Sequence, residues 1–539
     1  MPRLMDSAEW IPRIHGNKKI DTTKKNAWLR CLMMCAAAAI WVPLSDSVAA
    51  DQPNIIYVMT DDLGYGDLGC YGQEVVRTPN LDRMAAEGIR FTDHYAGHTV
   101  CRPSRLVLWT GQHVGHTGLI GNRPRSLTGM EQTVAKRLQQ VGYSTAGVGK
   151  WALGNVDDPS EVGNDGHPNN NGFDYWMGYL SQSNAHNYYP TFLWENATQV
   201  PLPGNVIGDY PNGRGRVASK RVTYSHDVMT ERAFQFIRDH RSGPFLLHIH
   251  WTIPHANNEG GRVTGDGMEV PDLGPYADRD WPAPEKGFAA MVSWMDRDMG
   301  RLMKLLKELE IDDHTVVFFT SDNGPHNEGG HQHTFFDSNG PLQGFKRSMH
   351  EGGIRVPMLV RWPGKIKAGS VTDHPSAFWD FLPTACELAG APLPEHTVRE
   401  HADVAGDSVA GDSVAGDSVF KRDRDSKRDG DSKVGGDRGG VDGISYLPTL
   451  LGMPEKQQEH EYLYWASQEG QTSVGMRAGN WKLVQYRAKR GRRGSAGGDA
   501  QDWRLYDLNT DLGEQRDLAS KHPDVVERLL DLLRRDDLL

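Results

Sequence analysis

Apolar residues in this chain gather into short runs that stop abruptly at charged or polar residues. Asn54 to Thr60 (NIIYVMT) ends at Asp61-Asp62, and Ser144 to Gly149 (STAGVG) ends at Lys150. Phe245 to Ile253 (FLLHIHWTI) ends at Pro254-His255, and Thr315 to Ser321 (TVVFFTS) ends at Asp322-Asn323. Near-continuous apolar runs of this length, separated by segments of helical spacing, predict strands of a parallel sheet covered on both faces. The intervening helices are expected over 78–87, 127–140, 227–239 and 287–309. In the last of these, Met291, Trp294, Met295, Met299, Leu302, Leu305 and Leu306 recur at helical spacing, which reads as core packing. The fold class is therefore α/β, with a large mostly parallel central sheet flanked by helices. Ligands of such sheets bind beyond the carboxyl ends of the strands. The four run ends thus bring two carboxylates, a lysine, a histidine, a third carboxylate and an amide to one rim.

The pattern changes over 395–440. Three tandem copies of Ala-Gly-Asp-Ser-Val occupy 405–419, followed by sequence rich in Lys, Arg, Asp and Gly. So few apolar groups do not offset the entropy of ordering, and a disordered insertion is expected. Strand-like runs at 462–465, 474–477, 481–486 and 503–508, then an amphipathic helix over 523–535, predict a small C-terminal α+β domain. The expected organisation is a leader over 1–50, a large domain over 51–394, the insertion over 395–440 and the small domain over 441–539.

The leader is read from Lys18, Lys19, Lys24, Lys25 and Arg30, which precede an apolar stretch from Cys31 to Leu44. The small residues Val48-Ala49-Ala50 then offer a cleavage site. The stretch is short for a membrane-spanning helix, so the expectation is export to the periplasm or beyond, without stable membrane insertion after cleavage. Its removal takes away Cys31 and Cys35 and leaves Cys70, Cys101 and Cys386, which is no disulfide framework. Cys70 and Cys386 are expected as buried thiols, with a bond between them left open. The net charge of −11 across 539 residues argues against a nucleic-acid partner. It leaves room for an anionic substrate, because a local cluster of cations can dominate a pocket.

Cys101 has distinctive neighbours: Cys101-Arg102-Pro103-Ser104-Arg105, continuing Leu106-Val107-Leu108-Trp109-Thr110-Gly111. Pro103 and Ser104 suit the opening of a helix, which would place residue 101 where free N–H groups and the dipole favour anions. Neither a Cys/His protease pattern nor a Gly-x-Ser-x-Gly elbow accompanies it. The segment resembles the C-x-P-S-R-x-x-L-x-T-G signature of formylglycine-dependent type I sulfatases of the alkaline phosphatase superfamily. The likeness is to arylsulfatase A-like and N-acetylgalactosamine-6-sulfatase-like members, and extends over about 54–390 and 442–518.

That resemblance implies hydrolysis of sulfate esters, with a sulfated carbohydrate as substrate. Cys101 would be oxidised to formylglycine by a formylglycine-generating or radical maturase enzyme. One hydroxyl of the hydrated aldehyde then attacks sulfur, and the second expels sulfate, dividing a difficult displacement into two steps. Asp61, Asp62, Asp322 and Asn323, with an oxygen of the modified Cys101, would hold a metal. All-oxygen ligation suits a hard ion, and the family favours Ca²⁺ over Mg²⁺. Three crowded carboxylates also require a cation to stay ionised. Arg105 would hold the formylglycine hydroxylate and the carboxylates. Lys150 and Lys346 would bind sulfate oxygens, and His255 would bind sulfate or protonate the leaving alcohol.

One departure matters. Family members often carry Gly-Lys-Trp-His-Leu-Gly, whereas this chain has Gly149-Lys150-Trp151-Ala152-Leu153-Gly154. Alanine accepts no proton, so His186 is the candidate replacement, with His326, His331 and His333 behind it. The stretch from His326 to Gly340 reads either as the lining of a sugar subsite, with Tyr188 and Trp194 as stacking platforms, or as a glycine-rich surface loop. Two alternatives stand: a formylglycine-dependent phosphodiesterase or phosphonate monoester hydrolase, and an inactive secreted protein that binds sulfated glycans.

Overall fold

The computed structural model describes residues 52–123, 125–154, 165–394, 440–469, 472–487 and 503–539. The leader expected over 1–50, and the insertion expected over 395–440 apart from Gly440, lie outside the described residues. The four apolar runs are strands: β1 (Asn54–Thr60), β3 (Ser144–Lys150), β7 (Phe245–His250) and β8 (Thr315–Ser321). Six more complete the main sheet: β2 (Ile89–Phe91), β4 (Tyr175–Tyr179), β5 (Phe192–Glu195), β6 (Thr198–Pro201), β9 (Met358–Arg361) and β10 (Ser370–Thr372). Their spatial order is β10-β2-β9-β8-β1-β7-β3-β4-β5-β6.

The central five strands, β8 to β4 in that order, are parallel, as the continuous apolar runs predict. The flanks depart from an all-parallel sheet. β9 runs antiparallel to both β8 and β2, and β5 and β6 form an antiparallel edge beyond β4. These flanking strands are short, and β6 is largely exposed, so they give no long apolar signal in the sequence. Every residue of β1 is buried because both faces are covered. Ile55, Tyr57 and Met59 enter one core, while Ile56 and Val58 enter the other, the two-residue alternation of a strand between layers.

Helices α1 (Pro79–Glu87), α2 (Cys101–Thr110), α3 (Val134–Gln139), α4 (Ser225–His240), α5 (Ala283–Glu308) and α6 (Phe381–Ala389) cover the sheet. The helix expected over 127–140 begins only at Val134. Thr133 accepts a hydrogen bond from Lys136 N at its start, and Leu127 N donates instead to Leu153 O. The Met and Leu stripe of α5 is buried core as expected, while Trp294 is half-buried beneath Arg297.

The C-terminal runs form an antiparallel sheet, β11 (Leu463–Ser467), β12 (Thr472–Ala478), β13 (Trp481–Arg487) and β14 (Trp503–Asp507), followed by α7 (Pro523–Arg535). This sheet belongs to the same unit as the main sheet. Trp465 Nε1 donates to Ala96 O, just ahead of α2, and a Cβ on Gly475 would meet Met349 Cγ at 2.7 Å. Cys70, Cys101 and Cys386 are free thiols. Cys386 is buried as expected, whereas Cys70 is only partly so. No helix among the described residues is long and apolar enough to cross a membrane.

Candidate active site

The rim inference from the run ends holds in three dimensions. β1 and β8 are adjacent, with Thr60 opposite Ser321, so Asp61-Asp62 and Asp322-Asn323 leave the sheet side by side. Asp62 N donates to Asp322 Oδ1 at 3.2 Å and Asn323 Nδ2 donates to Asp62 Oδ1 at 2.7 Å. Asp62 sits at φ 67°, an unfavourable conformation for a side chain with a Cβ and one often found at functional sites. α2 begins at Cys101, and Gly97 before it is required, since a Cβ there would lie 2.6 Å from Val107 Cβ. The Cys101 thiol donates toward Asp61 Oδ1 at 3.1 Å and lies 3.9 Å from Asp62 Oδ1.

Cations surround these carboxylates. Lys150, at the end of β3, donates to Asp61 Oδ2 at 2.6 Å. One turn into α2, Arg105 donates to Asp322 Oδ2 through Nε and Nη2 at 3.0 and 2.8 Å, and Nη2 lies 3.5 Å from Asp61 Oδ2. Its Nη1 donates to Lys150 O at 2.8 Å, tying the lysine to the cysteine-bearing helix. Lys346, on the loop before β9, donates to Asp62 Oδ2 at 2.7 Å, to Glu328 Oε2 at 3.1 Å and to His255 Nε2 at 3.3 Å. All of these groups but Glu328 are buried, and Glu328 is partly so.

A family model for Sulfatase matches residues 53–391. The chain belongs to the sulfatase family. It is 33% identical to human steryl-sulfatase over 67% of this chain and 70% of that protein. It is 28% identical to the N-acetylgalactosamine-6-O-sulfatase of Bacteroides thetaiotaomicron over 90% of this chain and 93% of that one. Among solved structures, Ps i-CgsB in complex with k-i-k-neocarrahexaose superposes with a TM-score of 0.65 at 25% identity, covering 90% of this chain and 92% of that chain. The fold is thus the alkaline phosphatase-like fold of sulfatases, and the chain is a sulfuric ester hydrolase.

The charges of this sulfatase's centre are unevenly shared. Burial would raise Asp61, but Lys150, His255, Arg105 and Lys346 hold it well below the usual carboxylate range. Asp62 is likewise lowered, with Lys346 and His255 overriding burial. For Asp322 the balance reverses: burial and the charge of Asp61 push it up to about 7 despite Arg105. The third carboxylate therefore lacks full neutralisation by the chain itself. Asn323 Oδ1 is buried without a hydrogen-bond partner, an orphaned acceptor of the kind that ordinarily demands an explanation. An under-neutralised carboxylate beside an unpartnered amide oxygen fits a hard cation with oxygen ligands. Asp61, Asp62, Cys101 and His255 also bring ligand atoms within 4.8 Å of one another.

Some expected residues lie elsewhere. His186 lies beside His255 and Glu259. Its ring stacks on His255 at 4.8 Å between centroids, and its Nδ1 lies 3.0 Å from Glu259 Oε2. Tyr188 is fully buried, and its hydroxyl donates to Thr252 O at 2.9 Å and to His255 O, so it buttresses the histidine and is no sugar platform. His331 is buried against Phe288 and Glu285, and His333 meets Asn327. His326 Nε2 lies 3.1 Å from Pro254 O, beneath the His255 turn. Sequence reasoning missed Glu328 and Glu259. Glu328 lies within the polar stretch already singled out, whereas Glu259 carried no signal. It also missed His250, which lies 3.4 Å from Arg105 Nη1 and stacks on Trp109.

Proposed function

We propose that this sulfatase hydrolyses sulfate esters on carbohydrates, using formylglycine made from Cys101 and a calcium ion held by Asp61, Asp62, Asp322 and Asn323. The observation that carries the reading is the convergence of Cys101, these four ligands, Lys150, Lys346 and Arg105 at one buried rim. A carbohydrate substrate is supported by the likeness to an N-acetylgalactosamine-6-O-sulfatase along most of both chains, and to a structure holding a neocarrahexaose. Export, and conversion of Cys101 by a maturase, belong to the same proposal.

When present, the cation would supply Lewis acidity and the formylglycine a nucleophilic hydroxyl. The chain's own residues do the rest. Lys150 and Lys346 remain charged, because their carboxylate partners outweigh the burial that opposes it. Lys150 keeps N–H groups to offer a sulfate oxygen beyond its bond to Asp61, whereas Lys346 has Asp62, Glu328 and His255 as acceptors and must release one of them to bind sulfate. Arg105 fixes Asp61, Asp322 and the Lys150 carbonyl relative to residue 101. Burial and Lys346 push His255 down to about 3, so its ring is neutral at pH 7. With Nδ1 directed at Ala256 O at 2.6 Å, Nε2 is an acceptor toward Lys346. This favours positioning of Lys346 and sulfate over direct donation of a proton by His255.

His186 fits the proton acceptor missing at Ala152. If Nδ1–H donates to Glu259, Nε2 carries the free lone pair, the base-and-orienter arrangement of many catalytic histidines. His186→Ala is expected to lower kcat by about 10²–10⁴, with Glu259→Gln having a smaller effect. An unchanged kcat would remove His186 from the reaction.

The decisive test is the mass of the tryptic peptide containing Cys101, from active protein made in its own host. A loss of about 18 Da marks the aldehyde, whereas an unmodified thiol in fully active protein overturns the mechanism. In a second test, dialysis against a calcium chelator should abolish turnover, with Ca²⁺ restoring it better than Mg²⁺. Full activity in metal-free protein would refute the calcium site.

A further inference from the structure

Strand β4 ends beside the lysine of the active site. Tyr179 pairs with Lys150 in the sheet, and Ala152 N donates to Leu180 O at 3.2 Å. The chain leaving β4 then borders a cavity of about 190 Å³. Its lining includes Ser181, Asn184, Asn187, Phe192, Trp194 and Arg216. Asn184 begins the short turn Asn184–His186, whose last residue stacks on His255. One strand spacing and one turn therefore separate this cavity from the catalytic centre.

Its walls combine two kinds of chemistry. Phe192 and Trp194 are half-buried and meet edge to face, with centroids 5.6 Å apart, so they present apolar ring surface. Opposite in character, Arg216 is held at its Nε, which donates to Asn184 Oδ1 at 3.0 Å. Its backbone carbonyl accepts from Asn257 Nδ2 at 3.0 Å, fixing the loop that carries it. With Nε occupied, the remaining N–H groups of the guanidinium fork suit a planar or tetrahedral anion. An aromatic face beside an anchored arginine matches a sugar ring bearing a sulfate or carboxylate. Glu259, within range of the Arg216 charge, is already engaged by His186 and Arg262.

We propose that this cavity is a second sugar subsite, which holds the ring neighbouring the one that is desulfated. Trp194 supports the ring and Arg216 binds an acidic substituent on it. The proposal rests on the carbohydrate-sulfatase reading and makes the preferred substrate an anionic oligosaccharide longer than one unit.

The test compares the wild type with Arg216→Ala and Trp194→Ala. The reporter is turnover of a small aryl sulfate, which occupies only the catalytic cleft. Size-defined oligosaccharides of chondroitin sulfate and carrageenan serve as competitors. In wild-type enzyme, at least one competitor of two or more rings should inhibit better than its sulfated monosaccharide. Arg216→Ala should weaken that inhibition roughly ten- to hundredfold, leaving aryl sulfate turnover within about twofold. Desulfated versions of the neighbouring ring should bind wild type and Arg216→Ala alike. Equal loss on both ligands, unchanged inhibition in the variants, or no advantage of longer competitors would overturn the subsite. Those outcomes leave the sulfatase reading intact, because it is tested separately by the mass of the Cys101 peptide and by turnover of the wild type. Absence of turnover of the aryl sulfate and of every sulfated oligosaccharide by formylglycine-containing enzyme would overturn both.

Discussion

Replacing Cys101 by alanine is expected to lower kcat on a sulfate ester by on the order of 10⁵–10⁶, as for loss of a covalent nucleophile elsewhere. That corresponds to about 7–8 kcal/mol of transition-state stabilisation. The rest of the centre is held together without the sulfur. Arg105 bridges Asp61 and Asp322, Lys150 pairs with Asp61, and Lys346 pairs with Asp62. Alanine is also a strong helix former at the first residue of α2. The variant should therefore fold, with an unchanged circular dichroism spectrum and a thermal midpoint close to that of the wild type. Steady-state rates measured on folded protein check this. Activity within tenfold of the wild type would exclude residue 101 from the reaction.

The second large effect concerns stability. Glu351 is fully buried where the loop carrying Lys346 meets the C-terminal sheet. Its carboxylate accepts from Lys482 Nζ at 2.6 Å, Arg355 Nη1 at 3.2 Å and the Tyr95 hydroxyl at 2.5 Å. Arg477 of β12 extends the cluster to Asp93 at 2.6 Å. Glu351→Ala leaves two buried cations short of a partner, and the expected loss is about 3–5 kcal/mol. A clear fall in the urea midpoint at pH 7 would show it, and an unchanged midpoint would mean that the network relaxes around the gap.

The pH dependence has a definite sign. Burial would raise Glu351, but Lys482, Arg355 and Arg477 together lower it to about 2. A depressed carboxyl contributes stability that is fully present above its unfolded value and is lost as pH falls toward the folded one. The difference between wild type and Glu351→Ala should therefore be full at pH 7 and shrink between roughly pH 5 and 2. Weaker retention of Lys346 should accompany it, because the segment joining residues 346 and 351 packs on Gly475 through Met349.

Much of the centre was readable before any fold was known. Strands β1, β3, β7 and β8 showed as apolar runs because they are buried on both faces, and burial of that kind leaves a local, one-dimensional trace. The proposed ligands Asp61, Asp62, Asp322 and Asn323 showed because they follow on such runs. A charged residue at the end of a buried strand is conspicuous against its neighbours. Cys101 showed through a compact motif in which helix-opening residues surround it.

What the sequence left open depends on long-range pairing. Nothing local states that β8 lies beside β1, yet that adjacency places Asn323 within 2.7 Å of Asp62 across 261 residues. Glu259 and His186, 73 residues apart, meet only because the turn after β4 and the segment after β7 rise from neighbouring parts of the same rim. Tyr188 has the composition of a sugar platform, but packing places it behind His255, where burial requires its hydroxyl to find backbone carbonyls. The antiparallel flanks and the docking of the C-terminal sheet were likewise decided in three dimensions. The sequence by itself pointed to the residues proposed to carry the chemistry and to the strand ends that present them. Only the tertiary structure decided which of those residues touch, because strand order and loop packing are set by contacts between distant segments and leave no periodic trace in either one.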